Sequence, residues 1–293
     1  MGMVDVHIVT DSTAYLPEEV LREFPHLHVV PLTVHFPHLV MEDGLENLDS
    51  FLRELKASPR PATTSQPPPH RFAEVFRPLV EEGHEIVAIL ISSVLSGTCT
   101  SAQAAADAVG PERIEIMDSR LTTAPMAFAA IQAARAAQAG KSRREIVDLV
   151  HWVCQRSRLF FVPDTLEYLH KGGRIGGAQA LLGSLLQIKP ILYLVDGRVE
   201  VLDKVRTRSR AMQRLVEELP GDHQGYEIAV LHLDGLDNAL TLKGLVQDRL
   251  GGREVPVIVA GPVLGTHVGP GAFGLMICQR PPEAMVSGGS NIA

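Results

Sequence analysis

Hydroxyl side chains are concentrated in residues 92–98, which read Ser-Ser-Val-Leu-Ser-Gly-Thr. The segment follows the apolar run 86–91, which the pattern predicts to be a strand buried on both faces, and it precedes a predicted helix. Ligands bind at the carboxyl ends of strands in open α/β sheets, and backbone N–H groups at a helix start attract anions. The segment therefore indicates an anion-binding loop around Ser96, or else a simple helix cap at Ser96 or Thr98.

Two other segments place polar side chains on a constrained backbone. Residues 62–69 contain Thr64 and Ser65 before three prolines, which fix an extended path and predict a rigid loop. Residues 260–271 place His267 among four glycines and two prolines, and glycine lets a backbone approach a ligand closely. The alternatives are a proline-rich connector for the first segment and a core histidine for the second.

Basic side chains occur at two sites in the second half of this acidic chain. Lys171 and Arg174 bracket a glycine pair, which suits a phosphate or an acidic partner, or equally a helix end with cations matched to its dipole. Residues 204–210 read Lys-Val-Arg-Thr-Arg-Ser-Arg, which indicates either a solvated helix start or a docking site for an acidic partner.

Known catalytic and metal-binding patterns are missing from the sequence. A nucleophile elbow needs glycine two residues before Ser96, where Val94 stands, and a P-loop ending at residues 140–142 would need glycine in place of Arg135. No HExxH or CxxC occurs, so we predict no metal site. The three cysteines are far apart, which predicts no disulfide and a reducing compartment: Cys99, Cys154 and Cys278.

Composition limits the class of protein. The 293 residues include 27 basic and 34 acidic side chains, and a net charge of −7 argues against a nucleic-acid-binding surface. Hydrophobic residues make up 45% and charged residues 21%, as in ordinary globular proteins. No apolar run is long enough to span a membrane, and no signal peptide is evident, so we predict a cytoplasmic protein without stable membrane insertion.

The hydrophobic pattern predicts an α/β protein of two domains. In the first half, strands at 6–10, 29–36, 86–91 and 114–118 alternate with helices at 48–57, 71–82, 122–139 and 144–156, which favours a parallel sheet covered by helices. In the second half, Asp196-Gly197 predicts a hairpin between strands 188–195 and 199–203. Further elements of an α+β domain are predicted as helices at 178–186, 209–219 and 238–250 and strands at 227–233, 255–259 and 273–279.

We therefore expect an N-terminal parallel-sheet α/β/α domain over residues 1–160 and a C-terminal α+β domain over residues 161–281. The remaining residues, 282–293, are rich in glycine, serine and proline and are predicted to be a disordered tail.

Five segments in order resemble the signatures of the DegV family of bacterial proteins, and the resemblance spans nearly the whole chain. They are residues 9–14, 64–67, 92–98, 171–174 and 266–271. The resemblance implies a protein that buries one long-chain fatty acid, such as palmitate or a C18 acid, in a tunnel between its domains. It also implies a carrier, not an enzyme, which presents the acyl carboxylate to a separate ATP-dependent fatty acid kinase subunit and has no cofactor of its own.

The same resemblance assigns roles to particular residues. Thr64, Ser96 and His267 would hold the carboxylate, which would favour the charged imidazole. Residues close to this headgroup would be Ser65, Gly97 and Thr98, and residues facing the kinase would be Arg174, Arg206 and Arg208. The alternatives are a serine-dependent acyl hydrolase or acyltransferase that uses Ser96 with His267, and a nucleotide-binding protein.

Overall fold

The computed structural model describes residues 5–58, 60–183 and 188–287, and the chain divides into two compact units. The first unit comprises Met1–Leu32, Gln66–Arg156 and Arg280–Ala293. The second unit comprises Thr33–Ser65 and Ser157–Gln279. The chain therefore passes between the units more than once.

The strands are β1 (Val6–Asp11), β2 (Leu27–Val30), β3 (Thr33–His35), β4 (Val40–Glu42), β5 (Thr63–Ser65), β6 (Glu85–Leu90), β7 (Ile114–Asp118), β8 (Ser157–Val162), β9 (Lys189–Val195), β10 (Arg198–Val205), β11 (Tyr226–Leu233), β12 (Val257–Val259) and β13 (Ala272–Gln279). The helices are α1 (Glu18–Glu23), α2 (Leu48–Ala57), α3 (Pro69–Glu81), α4 (Thr98–Val109), α5 (Thr123–Gln138), α6 (Arg143–Gln155), α7 (Glu167–Lys171), α8 (Arg208–Val216), α9 (Leu236–Arg249), α10 (Pro262–Val268) and α11 (Glu283–Val286). Short 3₁₀ turns cover Ser12–Ala14, Leu45–Asn47, Pro111–Arg113 and Gly176–Leu181.

The first unit is built on a parallel sheet in the order β2-β1-β6-β7. Helices α3 and α4 bury Phe72, Phe76 and Ala102 against one face of the sheet, and α5 and α6 contact the sheet as well. Strand β6 is apolar along almost its whole length because both of its faces are buried. The predicted parallel-sheet α/β architecture of this part of the chain is confirmed.

The second unit contains a mixed sheet in the order β10-β9-β8-β13-β11-β12, in which only the pair β11–β12 is parallel. Helices α8 and α9 bury Leu215 and Leu242 in its core. The β9–β10 hairpin turns at Asp196 and Gly197, whose positive φ angles of 49° and 79° match the turn that a two-residue hairpin favours. A separate antiparallel sheet has the order β4-β3-β5.

The predicted strand at 29–36 is wrong, because it is two strands in different sheets. Pro31 separates β2 from β3 and has no N–H group to donate to a sheet, and the N–H of Leu32 donates to Ser12 Oγ at 3.0 Å. Residues 33–65 then join the second unit, since β3 pairs with β4 and β5, and α2 contacts α10. The structure therefore divides the chain differently from the single boundary expected near residue 160.

Two other predicted segments, the tail and the helix at 178–186, lie partly outside the described residues. The predicted disordered tail begins with α11, which contacts α5 and α6, while residues 288–293 lie outside the described part. The predicted helix at 178–186 is a 3₁₀ turn over Gly176–Leu181, and residues 184–187 lie outside the described part. Among residues 5–58, 60–183 and 188–287, no helix has the length and apolar character that crossing a bilayer requires.

Four histidines gather at the amino-terminal edge of the parallel sheet. His7 Nδ1 lies 2.9 Å from His28 Nε2, and the His7 ring centroid lies 4.7 Å from that of His84 and 6.4 Å from that of His26. Burial, followed by the fields of the other three histidines, lowers the pKa of His7 to about 4. His7 is therefore neutral at pH 7.

We expect this cluster to make the first unit acid-sensitive. Because the folded pKa of His7 lies below the unfolded value of 6.5, the unfolded chain takes up a proton first, and stability falls as the pH drops from 6.5 towards 4. In denaturant titrations at pH 7 and pH 5, His7→Gln should reduce the loss of stability by about 1 kcal/mol, after allowance for solvent screening. The exposed His70→Gln is the control, and an unchanged loss in His7→Gln would contradict the interpretation.

Candidate functional site

The structure brings Thr64 and His267 together in the second unit. Thr64 lies at the centre of β5, opposite Val34 of β3 in antiparallel register. Its Oγ1 lies 2.8 Å from Nε2 of His267, which is carried by α10. The next residue of β5, Ser65, has its Oγ 2.8 Å from Nε2 of His35 on β3. Because successive side chains of a strand point to opposite faces, this second hydroxyl–imidazole pair lies on the other face of the sheet from Thr64.

His267 is carried by a short helix where the sequence predicts a glycine-rich loop. Pro262 occupies the first turn of α10, where a missing N–H costs nothing, and the buried Asp43 accepts the N–H of Val263 at 2.9 Å. Gly269 ends the helix with φ of 81°, a conformation that glycine adopts without strain. The glycines and prolines thus build a helix that holds His267 in one place.

Burial, followed by the positive charge of Arg174, lowers the pKa of His267 to about 4. The imidazole is therefore neutral at pH 7 in the protein without a bound anion. Arg174 is half-buried, and its Nη1 donates to the carbonyl of Gly172 at 2.6 Å. The fixed positive charge of this region thus comes from a guanidinium, which stays protonated in proteins.

The loop at residues 92–98 belongs to the first unit and follows β6. Ser96 Oγ and Thr98 Oγ1 lie 2.8 Å apart, and Thr98 is fully buried at the start of α4. The N–H groups of Leu95 and Ser96 donate to the carbonyl of Ser92, and that of Ser93 donates to Asp118. The donors before Gly97 are therefore satisfied within the first unit, which fixes the path of the loop up to the start of α4.

Asp11, which the sequence analysis did not identify as part of a site, supports this loop. Its fully buried carboxylate accepts the N–H of Ile91 at 2.7 Å and both the N–H and hydroxyl of Thr13. Burial raises the pKa of this carboxyl to about 6. The side-chain amide of Gln66 lies against Gly97, where a Cβ would be only 2.6 Å away. The missing side chain of Gly97 therefore makes room for Gln66.

The amino-acid sequence was compared with protein families and with known proteins, and both comparisons give matches over most of the chain. A sequence profile described as "Uncharacterised protein, DegV family" matches residues 5–280. The chain belongs to the DegV family. The DegV domain-containing protein SCO2569 of Streptomyces coelicolor is 41% identical over 280 residues, which cover 94% of this chain and 99% of that protein.

Solved DegV structures share the fold. The crystal structure of DegV from Bacillus subtilis, described as a fatty acid binding protein, matches with a TM-score of 0.84 at 31% identity, over 95% of this chain and 100% of that chain. A stearic acid-binding protein from Eubacterium ventriosum matches with a TM-score of 0.84 at 26% identity, over 95% of this chain and 99% of that chain. This family membership confirms the predicted resemblance.

The basic residues expected to face a partner have different surroundings in this DegV-family protein. Arg208 Nη2 lies 2.6 Å from Asp164 Oδ1, which also pairs with Lys189. These contacts lower the pKa of Asp164, chiefly through its hydrogen bond with Lys189. Arg206 is exposed, whereas Arg174 is half-buried and lies in the surroundings of His267.

A cavity of about 180 Å³ lies within the second unit beside the Thr64–His267 pair. Gly172 and Thr266 form part of its wall. The charged groups of the lining have both signs, since Lys171 pairs with Glu167 at 3.0 Å and Arg60 adds a second cation. Within the described part of the chain, no three His, Cys, Asp or Glu side chains are grouped as a metal ion would need.

We expect Asp43→Ala to loosen the helix that carries His267. The change leaves the N–H of Val263 buried without its partner, which should lower the free energy of unfolding by about 1–2 kcal/mol. Denaturant titration measures the loss, with Asp248→Ala, an exposed position in the same unit, as the control. Equal stability of the two variants would show that Asp43 does not hold α10.

Proposed function

We propose that this DegV-family protein binds one long-chain fatty acid and presents its carboxylate to a separate ATP-dependent kinase subunit. The single observation that carries the proposal is the hydrogen bond between Thr64 and His267, since it assembles a hydroxyl and an imidazole from distant segments in one place. Family membership supports the ligand class, because solved relatives are described as binding fatty acids.

A carboxylate that leaves water must be paired or hydrogen-bonded. Thr64 supplies a hydroxyl, His267 an imidazole and Arg174 a permanent positive charge within the second unit. We include Ser96 as a third donor on the family resemblance. The acyl chain would supply most of the affinity, since about 14 buried methylenes at ~0.8 kcal/mol each give a gross gain of about 11 kcal/mol before association costs.

The proposed role is that of a carrier located in the cytoplasm, with the chemistry supplied by the partner. Exposed Arg206 and the neighbouring Arg208 give the start of α8 a basic surface on an acidic protein. Such a surface suits an acidic patch on a kinase, because complementary charge speeds association. The hydrogen bonds do not favour the acyl hydrolase alternative, since Ser96 pairs with Thr98 and His267 pairs with Thr64.

Native mass spectrometry of the purified protein tests the ligand class. We expect one added mass that matches a long-chain fatty acid, which organic extraction then identifies. After delipidation, calorimetry with a C16 or C18 acid should show binding of one molecule per chain. Failure to bind either acid would refute the proposed function.

Substitution of the headgroup residues tests their assignment. Thr64→Ala, Ser96→Ala and His267→Ala should each weaken fatty-acid binding by roughly ten- to a hundredfold, because each removes a group that bonds to the carboxylate or orients a neighbour that does. Thermal unfolding should show that each variant still folds, and Thr100→Ala, at an exposed position, is the control. If all three variants bind normally, the headgroup lies elsewhere.

Arg206→Ala tests the docking surface. We expect the variant to retain fatty acid and to be phosphorylated by a cognate kinase at least about threefold more slowly at low ionic strength, since a surface charge acts mainly on association. Arg249→Ala, an exposed arginine on α9, is the control. An unchanged rate would remove Arg206 from the interface.

A further inference from the structure

We propose that Gly172 is a positioning residue that holds His267 as a neutral imidazole with its proton on Nε2, so that Thr64 donates its hydroxyl proton to the ligand. The ligand named here, a fatty-acid carboxylate, rests on the proposed function. The tautomer itself is a property of the protein alone.

Gly172 leaves no space for a side chain on the side that faces His267. A Cβ at this position would lie 2.3 Å from Nδ1 of His267 and 3.1 Å from the carbonyl oxygen of Tyr168. The first of these distances is shorter than van der Waals contact allows. The imidazole therefore occupies the space that the missing side chain leaves.

The polar groups of Gly172 are already used by other partners. Its N–H donates to the carbonyl of Tyr168 at 2.9 Å, and its carbonyl accepts from Arg174 at 2.6 Å. Among the described residues, Gly172 makes no hydrogen bond to the ring that lies against it. Nδ1 of His267 is buried and has no hydrogen-bond partner among the described residues, while Nε2 has Thr64.

This asymmetry selects one tautomer. A neutral imidazole carries one N–H, and a proton on Nδ1 would leave a buried donor without a partner. Orphaned buried N–H groups are rare in proteins, whereas an unused acceptor is tolerated more often. With the proton on Nε2, the ring donates to Thr64 Oγ1.

The direction of this hydrogen bond determines what Thr64 can do. A hydroxyl that accepts from Nε2–H has its own proton left to donate. Thr64 can therefore donate this proton to a ligand acceptor such as a carboxylate oxygen. His267 then acts through Thr64 and keeps its neutral form, and Arg174 provides the positive charge that an anion needs.

A second glycine keeps the helix of His267 close to α7. A Cβ at Gly269, where φ is 81°, would lie 2.3 Å from the ring of Tyr168. The turn that contains Gly172 and the end of α10 are thus packed through two glycines. Both glycines therefore lie at the contact between α7 and the helix that carries His267.

Nitrogen-15 NMR of histidine-labelled wild-type protein at pH 7 tests the tautomer. We expect the His267 resonances, assigned by comparison with His267→Gln, to show a protonated Nε2 and an unprotonated Nδ1. A protonated Nδ1, or a cationic ring, would overturn the proposal. This measurement needs no fatty acid, so its outcome is separate from that of the proposed function.

Gly172→Ala tests the positioning role, with Gly244→Ala as the control because a Cβ at Gly244 meets nothing within 4 Å. We expect Gly172→Ala to lose the single-tautomer signature and to bind a C16 acid at least tenfold more weakly, while Gly244→Ala keeps both. Retention of signature and affinity in Gly172→Ala would overturn the role of Gly172. If that variant does not fold, calorimetry of the wild type at pH 7 in two buffers decides, since a neutral imidazole predicts no net proton uptake and uptake of one proton per ligand contradicts it.

Discussion

The hydrogen bond between Thr64 and His267 joins two segments that lie 203 residues apart, and the nearby parts of the second unit are arranged to permit it. One partner lies on a three-residue strand and the other on a seven-residue helix. Elements this short have little intrinsic stability, so their positions depend on what they pack against. Pairing with β3 positions strand β5. The hydrogen bond from the N–H of Val263 to Asp43 positions the start of helix α10.

Two glycines of the α10 segment lack the side chain that would keep aromatic rings away from the backbone. Phe51 fills the space beside Gly265, where a Cβ would lie 2.5 Å from its ring, and Tyr168 does the same beside Gly269. The buried ring of Phe51 and the half-buried ring of Tyr168 therefore lie against the backbone of α10 at two positions. Close contact between aromatic rings and backbone restricts the helix more than contacts between flexible side chains would.

The periodic elements could be predicted from the sequence because their signals are local. The apolar run that forms β6 and the Asp196-Gly197 turn each contain the information that defines them. Residues 29–36 misled the prediction because β-branched and apolar residues continue past Pro31, and only pairing with partners far along the chain separates β2 from β3. The segments of Thr64 and His267 could be identified as polar loops, but nothing local indicates that they meet.

Supporting residues such as Asp43 and Gly172 could not be identified from the sequence for the same reason. Asp43 is one acidic residue among 34 acidic residues, and its role depends on an N–H that lies 220 residues away. Gly172 resembles any glycine at the end of a helix, and its own hydrogen bond to Tyr168 supports that interpretation. Its function depends on the ring that lies against it, which is a tertiary contact.

The segments that carry the candidate headgroup residues differ in their electrostatics. The loop at 92–98 is supported by carboxylates, since Asp118 accepts from Ser93 and Asp11 accepts from Ile91 just before it. These bonds fix the path of the loop, and Arg120 pairs with Asp118, so the loop carries no unpaired cation of its own among the described contacts. In the second unit, Arg174 supplies a positive charge and the neutral His267 supplies a directed donor. We therefore propose that the second unit supplies the positive charge that a carboxylate needs, while Ser96 adds a neutral hydroxyl.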